Sequence, residues 1–221
     1  MTDFKQILIK DDPSFTESAV EVNEFFRDLY LPAFPNDEER EPIENIVDRL
    51  RNGSKPITEL LLLMDGDAVA AGCIADLYPV ANTIHVIYLV VRDSYRRQGL
   101  ARQLLDSWFC LHPEMMDMYV EVDDPDVVSP ENTIIDPRTR IEIYQKMDFS
   151  LLHLKYVQPP LEEGLPYAYG MQLMYRSKDP SEMRCRLKTF LVEFYDGLGC
   201  PSDDLELINM LNQVDNEERI I

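Results

Sequence analysis

Hydrophobic and polar positions along the chain form patterns of two periods, which predict a strand and two helices at its start. The segment from Phe4 to Lys10, with apolar residues at 7–9, has the length of a strand. A helix is expected to follow it and run to about Tyr30. Ser14 or Thr16 is the expected N-cap of that helix. A second helix is predicted between Pro42 and the Asn52-Gly53 pair, because its apolar positions share one face.

Runs of strand length recur through the middle of the chain, with two helical patterns between them. The predicted strands are 59–64, 69–77, 83–91, 118–122, 151–157 and 169–175, and the predicted helices are 99–112 and 139–147. Asp65-Gly66-Asp67 joins the first two of these strands as a tight hairpin. The order of elements predicts an α/β fold whose sheet is mixed, with one crossover helix near its centre.

The last part of the chain, from Ser177 onward, has a helical pattern alone. An apolar stripe at helical spacing is formed by Met183, Leu187, Phe190, Leu191 and Phe194. A final helix is expected from Asp203 to Val214. We expect these helices to pack on the preceding domain, with a lid over a cleft or a dimer contact as the alternatives.

The balance of charge excludes two classes of partner. The chain holds 41 acidic and 21 basic residues, which gives a formal charge of −20. Nucleic acid and anionic lipid both require clustered Lys and Arg, so neither is an expected partner. Such a surface attracts cations, including amines and basic peptides, although acidic surfaces also serve solubility alone.

Cysteine usage and the N-terminal segment indicate a reducing compartment. The four cysteines form no C-x-x-C pair and fit no zinc spacing. The segment from Met1 to Lys10 does not have the pattern of a signal peptide, and no run is apolar for long enough to span a bilayer. We therefore expect a cytoplasmic protein that holds no metal.

The stretch from Leu89 to Arg102 is the most informative part of the sequence. An apolar strand ends there, a polar turn follows, and a helix begins at Gly99. A helix N-terminus presents unpaired N–H groups and the positive end of the helix dipole, and a glycine without Cβ lets a diphosphate approach the backbone closely. Small Ala101 keeps the next position open. Positive charge gathers here in an otherwise acidic chain, at Arg96, Arg97 and Arg102. The alternative is an ordinary strand-turn-helix with a solvated basic turn.

The string Arg96-Arg97-Gln98-Gly99-Leu100-Ala101 matches in full the Q/R-x-x-G-x-G/A phosphate signature of the GCN5-related N-acetyltransferase (GNAT) superfamily. From Phe4 to Arg176 the chain resembles that superfamily in its order of elements. The strings 33–35, 119–122 and 144–149 are also similar to family sequences. The resemblance implies the GNAT fold: a mixed, mostly antiparallel central sheet of about seven strands with flanking helices. It divides the chain into an acyltransferase domain, residues 1–176, and a C-terminal helical extension, residues 177–221.

The resemblance also implies acetyl-CoA as the co-substrate and identifies where it binds. In the family, the strand before the phosphate loop pairs its backbone with the pantetheine arm, at the positions of Val90 and Val91. The residues expected to bind coenzyme A are Val90, Val91, Arg92, Arg96, Arg97, Gln98, Gly99, Leu100, Ala101 and Arg102.

Acetyl transfer to an amine needs a base for the amine and an acid for the thiolate leaving group. Tyr144 is the expected acid, because it lies in a Y-x-x-x-G-F-like motif where the family often places a tyrosine near the coenzyme sulfur. Asp148 replaces the usual glycine of that motif, and aspartate tolerates a left-handed backbone better than most residues. A packing tyrosine on a short helix is the alternative.

Two residues compete for the role of base. Glu121 lies in the middle of a strand, and alternation places it on the same face as Tyr119 and Asp123, either in a polar cleft wall or toward solvent. His85 has a side chain whose ordinary pKa suits a base, although a lone histidine on a strand is more often structural. Tyr88, on the opposite face from His85, and Asp123 are candidates for substrate binding.

The function that the resemblance implies is transfer of an acetyl group from acetyl-CoA to a primary amine by direct attack. The acceptor is a small molecule or a peptide, and the acidic surface is compatible with a cationic one. A GNAT-like module that binds coenzyme A without turnover, and an enzyme for a longer acyl group, are the alternatives. A homodimer is compatible with the sequence.

Overall fold

The structure, a computed structural model, describes residues 4–10, 19–35, 40–53, 55–161, 164–217 and 220. The proposed caps Ser14 and Thr16 lie outside these residues. The strands are β1 (Lys5–Ile9), β2 (Ile57–Asp65), β3 (Ala68–Tyr78), β4 (Thr83–Val91), β5 (Asp117–Asp123), β6 (Ser150–Leu151) and β7 (Met171–Ser177). The helices are α1 (Val20–Glu24), α2 (Leu31–Ala33), α3 (Ile43–Asn52), α4 (Leu100–Leu111), α5 (Pro137–Gln145), α6 (Met183–Gly197) and α7 (Leu205–Asn216). The predicted seven-stranded, mixed and mostly antiparallel fold is confirmed.

The chain divides into two compact units, of which the first comprises residues 1–77 and 86–113. Its strands follow the order β1-β2-β3-β4, and β2 pairs antiparallel with both β1 and β3. The predicted hairpin is present, because Asp65 pairs with Ala68 across a turn in which Gly66 has a φ of 59°. A glycine suits that turn since other residues rarely adopt a positive φ.

Helices α1 and α3 cover one face of the first unit and bury its core. Between α1 and α2 the chain forms a π-helix, Phe25–Tyr30, so the helical segment continues through Pro32 to Ala33. The core on this face contains Phe25, Tyr30, Leu62 and Tyr88 among others. A Cβ at Gly72 would lie 2.4 Å from a ring carbon of Phe25, so only glycine allows this helix to approach β3.

The second unit comprises residues 78–85 and 114–221. Its strands follow the order β5-β7-β6 with antiparallel pairing, and Glu121 lies opposite Leu173. Helices α6 and α7 pack on these strands through the predicted apolar stripe, in which Phe190 and Leu187 are fully buried. The division of the chain at residue 176 remains a prediction.

A buried ion pair attaches α6 to β5. Arg186 donates from Nε and Nη2 to the two carboxylate oxygens of Asp117, at 2.6 and 3.1 Å. Ser177 donates to the same carboxylate at 2.6 Å, and Asp117 is fully buried. Because both charges are paired and hydrogen-bonded, the side chains tolerate the loss of water that burial imposes.

The predicted strand 151–157 is not present as expected. Only Ser150 and Leu151 are in β6. The backbone N–H of His153 donates to the carbonyl of Ile220, and that of Lys155 donates to the side chain of Gln213. These two N–H groups thus pair with the C-terminal region and not with a neighbouring strand. Within the described residues, no helix has both the length and the hydrophobicity to cross a membrane.

Candidate functional site

The end of β4 in the first unit is held by Arg92. Its Nε donates to the carbonyl of Val69 at 2.8 Å, and its backbone N–H donates to the carbonyl of Ala70 at 3.0 Å. Its guanidinium also pairs with the carboxylate of Glu24, which accepts from the Val69 N–H as well. Arg92, predicted to bind coenzyme A, thus already ties β4 to β3 and α1.

The turn after Arg92 brings the chain to the N-terminus of α4. A single 3₁₀ turn, Asp93–Tyr95, is fixed by a hydrogen bond from the Tyr95 hydroxyl to Asp65 at 2.9 Å. Arg97 and Gly99 then adopt positive φ values of 62° and 84°. These two left-handed residues reverse the backbone so that α4 begins at Leu100 directly after the loop.

The N-terminus of α4 has the properties of an anion site. The first N–H groups of a helix have no intrahelical partner, and here no side chain caps them. A Cβ placed on Gly99 would meet nothing within 4 Å, which leaves the approach to these N–H groups open. Arg97 and Gln98 are exposed beside it, and Arg102 lines a groove that begins at Gly99. Backbone dipole, side-chain charge and open space at one point suit a diphosphate.

The remaining coenzyme-binding candidates differ in exposure. Val90 and Leu100 have buried side chains, so only their backbones are available to a ligand. Val91 and Ala101 are half-buried. Arg96 is exposed and forms an ion pair with Asp93 at 2.8 Å.

Tyr88 lies in an aromatic cluster of the first unit rather than on an open surface. Its ring is 4.8 Å from that of Tyr30 and 4.9 Å from that of Phe34. Its hydroxyl accepts a hydrogen bond from the backbone N–H of Glu41 at 2.9 Å. Burial raises the pKa of the Tyr88 phenol, so it remains protonated at neutral pH. Phe34 is the most exposed of the three rings and is the member of this cluster that a substrate could reach.

Glu121 and His85, the two candidate bases, lie together in the second unit. Nε2 of His85 is 3.5 Å from a carboxylate oxygen of Glu121. The imidazole is only 2% exposed, and the rings of Phe190 and Phe194 enclose it at 5.4 and 5.0 Å. The Glu121 side chain retains 12% exposure. Of the two, Glu121 is therefore the one that an acceptor can reach.

The carboxylate of Glu121 receives two further hydrogen bonds. The phenol of Tyr156 donates to Oε1, and the amide of Gln158 donates to Oε2 at 3.0 Å. Burial and the adjacent carboxylate raise the pKa of Tyr156 well above its ordinary value, so its phenol is a protonated donor at neutral pH. Neither residue was expected at this site. A buried tyrosine in a segment predicted as a strand carries no signal of which carboxylate it contacts.

Tyr144, the candidate acid, lies near the end of α5. Its ring contacts that of Phe149 edge-on at 5.4 Å, and its carbonyl accepts from the N–H groups of Met147 and Phe149. Asp148 has a φ of 68°, so the left-handed conformation that a glycine usually supplies is present here. The departure from the family motif at this position therefore leaves the local backbone intact.

Asp123, a candidate for substrate binding, ends β5 and is already paired. Arg140 of α5 lies 3.5 Å from its carboxylate. Asp126 pairs with Arg138 at 3.0 Å. In the part of the chain that the structure describes, no group of three or more His, Cys, Asp or Glu could hold a metal ion.

Comparison with known proteins agrees with this geometry. Residues 23–109, which include the loop and most of α4, match the model of the acetyltransferase (GNAT) family. The fold and this match define the protein as an acyltransferase. The chain thus contains a GNAT-family acetyltransferase domain within residues 23–109, and the match supports acetyl transfer as the general reaction.

Solved structures share the fold at low sequence identity. A protein from Bacteroides thetaiotaomicron, named as a GNAT-family acetyltransferase, has 20% identity and a TM-score of 0.61, with 87% of this chain and 98% of that one covered. One named as an acetyltransferase from Staphylococcus epidermidis has 10% identity and a TM-score of 0.54, with 80% and 100% covered. An acetyltransferase from Thermus thermophilus has 18% identity and a TM-score of 0.51, with 80% and 99% covered. No curated protein sequence matches the chain.

Proposed function

We propose that the protein transfers an acetyl group from acetyl-CoA to a primary amine by direct attack. The observation that carries the proposal is the N-terminus of α4, where uncapped N–H groups follow a left-handed Gly99 with open space beside it. Membership of the GNAT superfamily supports the same reaction.

Coenzyme A would bind through the backbone of this loop. Its diphosphate accepts hydrogen bonds from the N–H groups between Gln98 and Arg102, and Arg97 supplies positive charge. Its pantetheine arm follows the backbone of Val90 and Val91, as in other members of the superfamily. The buried side chains of Val90 and Leu100 hold the backbone in position for both contacts.

The transfer itself needs three proton movements. Glu121 accepts a proton from the acceptor ammonium, directly or through water, and the neutral nitrogen then bonds to the acetyl carbonyl carbon. The carbon–sulfur bond breaks as Tyr144 donates its proton to the departing thiolate. The bonded nitrogen releases its second proton to solvent, which leaves a neutral amide, and solvent returns a proton to Tyr144 and takes the one held by Glu121. His85, too enclosed to meet the acceptor, lies beside Glu121 and contributes to its electrostatic environment.

The acceptor is best sought among cations. With a formal charge of −20 the protein surface attracts ammonium compounds, and Glu121 offers a negative charge at the proposed point of attack. Aminoglycosides, polyamines and basic peptides are the classes to screen. A cytoplasmic location accords with all three.

Calorimetric titration with acetyl-CoA tests the coenzyme site. We expect the intact protein to bind and Gly99→Glu to lose binding, because the new carboxylate would occupy the approach to the helix N-terminus. Gly199→Glu is the matched control, since Gly199 also has a positive φ, 78°, and no atom within 4 Å of an added Cβ. Absence of binding by the folded wild type, or equal binding by both variants, would contradict the proposed site.

Release of free thiol in the presence of the amine screen tests the reaction. Tyr144→Phe should lower kcat by about 10²- to 10⁴-fold, the range for loss of a general acid, while acetyl-CoA affinity is retained. Parallel assays with succinyl- and long-chain acyl-CoA decide whether acetyl is the preferred group. Unchanged turnover in Tyr144→Phe would remove Tyr144 from the mechanism.

A further inference from the structure

The connection between β6 and β7 delivers two hydrogen-bond donors to Glu121. The phenol of Tyr156 donates to Oε1 of the carboxylate and the amide of Gln158 donates to Oε2, so each oxygen has a donor from the same short segment. A carboxylate held at both oxygens cannot rotate freely about its terminal bond. Each oxygen still has a lone pair for a further contact, because a carboxylate accepts about four hydrogen bonds in total.

The segment that carries these donors is itself held by the C-terminal helices. The hydroxyl of Tyr195 on α6 donates to the carbonyl of Val157 at 2.8 Å. Gln213 of α7 accepts from the backbone N–H of Lys155 at 3.0 Å. Lys155 and Val157 are the two neighbours of Tyr156, so α6 and α7 hold the chain on both sides of it. The backbone of Gln158 pairs with that of Ala168 in the same connection.

We propose that Tyr156 and Gln158 are positioning residues that orient the Glu121 carboxylate toward the acceptor amine, and that α6 and α7 hold Tyr156 in place through Val157 and Lys155. This inference rests on the proposed function, in which Glu121 accepts the proton. It gives the C-terminal extension a part in the reaction, whereas its sequence alone is compatible with simple packing, a lid or a dimer contact.

Proton transfer is sensitive to orientation, which is why such support affects rate. The accepting oxygen must lie within about 2.6–3.2 Å of the donor atom in the reacting geometry. Glu121 is surrounded by groups from three elements: His85 on β4, Leu173 opposite it on β7, and the pair from the connection. Only Tyr156 and Gln158 donate a hydrogen bond to it, among the residues that the structure describes.

The test compares Tyr156→Phe with Tyr167→Phe. Tyr167 lies in the same connection and is a matched control, because its phenol also donates to a carboxylate, that of Asp204 at the start of α7. With the amine found in the screen, we expect Tyr156→Phe to lower kcat/KM by about 10- to 100-fold with acetyl-CoA affinity unchanged. The loss should fall on kcat rather than on the KM of the amine, since Glu121 keeps its place and loses only a fixed orientation. Gln158→Met should act in the same direction, and Tyr167→Phe should leave both readouts unchanged.

Two further measurements separate the possible failures. Glu121→Gln with full activity would remove Glu121 as base and overturn the proposed proton transfer together with this inference. An inactive Glu121→Gln beside a Tyr156→Phe with normal kcat and normal KM would overturn the inference alone. Thermal unfolding of each variant identifies a loss of activity that follows only the folded fraction, and such a result would assign Tyr156 a purely structural role.

Discussion

Replacing Arg186 with methionine removes one partner of the buried ion pair that attaches α6 to β5. Methionine retains an apolar stem of similar length, so the change isolates the charge and the hydrogen bonds. The carboxylate of Asp117 loses two hydrogen bonds, at 2.6 and 3.1 Å, and keeps the one from Ser177. With Asp117 fully buried, water cannot replace what is lost.

The expected loss of stability is about 3–5 kcal/mol, the usual result when one member of a buried pair is removed. Replacing both members, as Asp117→Leu with Arg186→Met, should recover most of that loss, because no buried charge then remains without a partner. For a denaturant slope of about 2 kcal/mol per molar urea, the single variant should unfold at about 1.5–2.5 M less urea.

Urea titration followed by far-ultraviolet circular dichroism measures both variants on the same scale. The lone tryptophan, Trp108, lies in the other compact unit and is a poorer reporter of this pair. A loss below about 1 kcal/mol for Arg186→Met, or a double variant less stable than the single one, would refute the reasoning.

Three other changes test the fold. Gly72→Ala should lower thermal stability, because the added Cβ would lie 2.4 Å from Phe25, whereas Gly66→Ala would add only the strain of its positive φ. Asp148→Gly should raise the melting temperature or leave it unchanged, because glycine adopts the observed φ of 68° without strain. Above about pH 10 the protein should lose stability. Burial raises the pKa of Tyr195 above the value of about 10 that a tyrosine has in the unfolded chain. The contribution of this phenol to stability is therefore complete below about pH 10 and declines as the pH rises further. The ionisation of Tyr195, read as the difference in tyrosinate absorbance between the wild type and Tyr195→Phe, should accompany the change in circular dichroism; ionisation of Tyr195 without unfolding would contradict this.

Local patterns in the sequence were enough to predict the turn after β4 and the start of α4. The strand end, the arginine-rich turn and the glycine before α4 are consecutive residues, and the positive φ of Gly99 is a local backbone property. The same holds for Asp148, whose left-handed conformation follows from its place in a helix-ending motif. Such features need no knowledge of distant contacts.

The surroundings of Glu121 could not be predicted in this way. Tyr156 reaches the carboxylate across 35 positions of sequence, and Phe190 reaches His85 across an even longer stretch of the chain. The pattern at 151–157 is also that of a strand, but the N–H groups of His153 and Lys155 pair with Ile220 and with Gln213 of α7, which are distant in sequence. Arg92 shows the same limit, since its pairing with Glu24 depends on the packing of α1.

The late position of α6 in the chain has a consequence for synthesis. His85 and Glu121 leave the ribosome before Phe190, which follows Glu121 by 69 residues. At about 5–20 residues per second that interval lasts roughly 3–14 s. During it, apolar strand surface that α6 will later bury is exposed in the nascent chain, and chaperones that bind such surface have their best opportunity then.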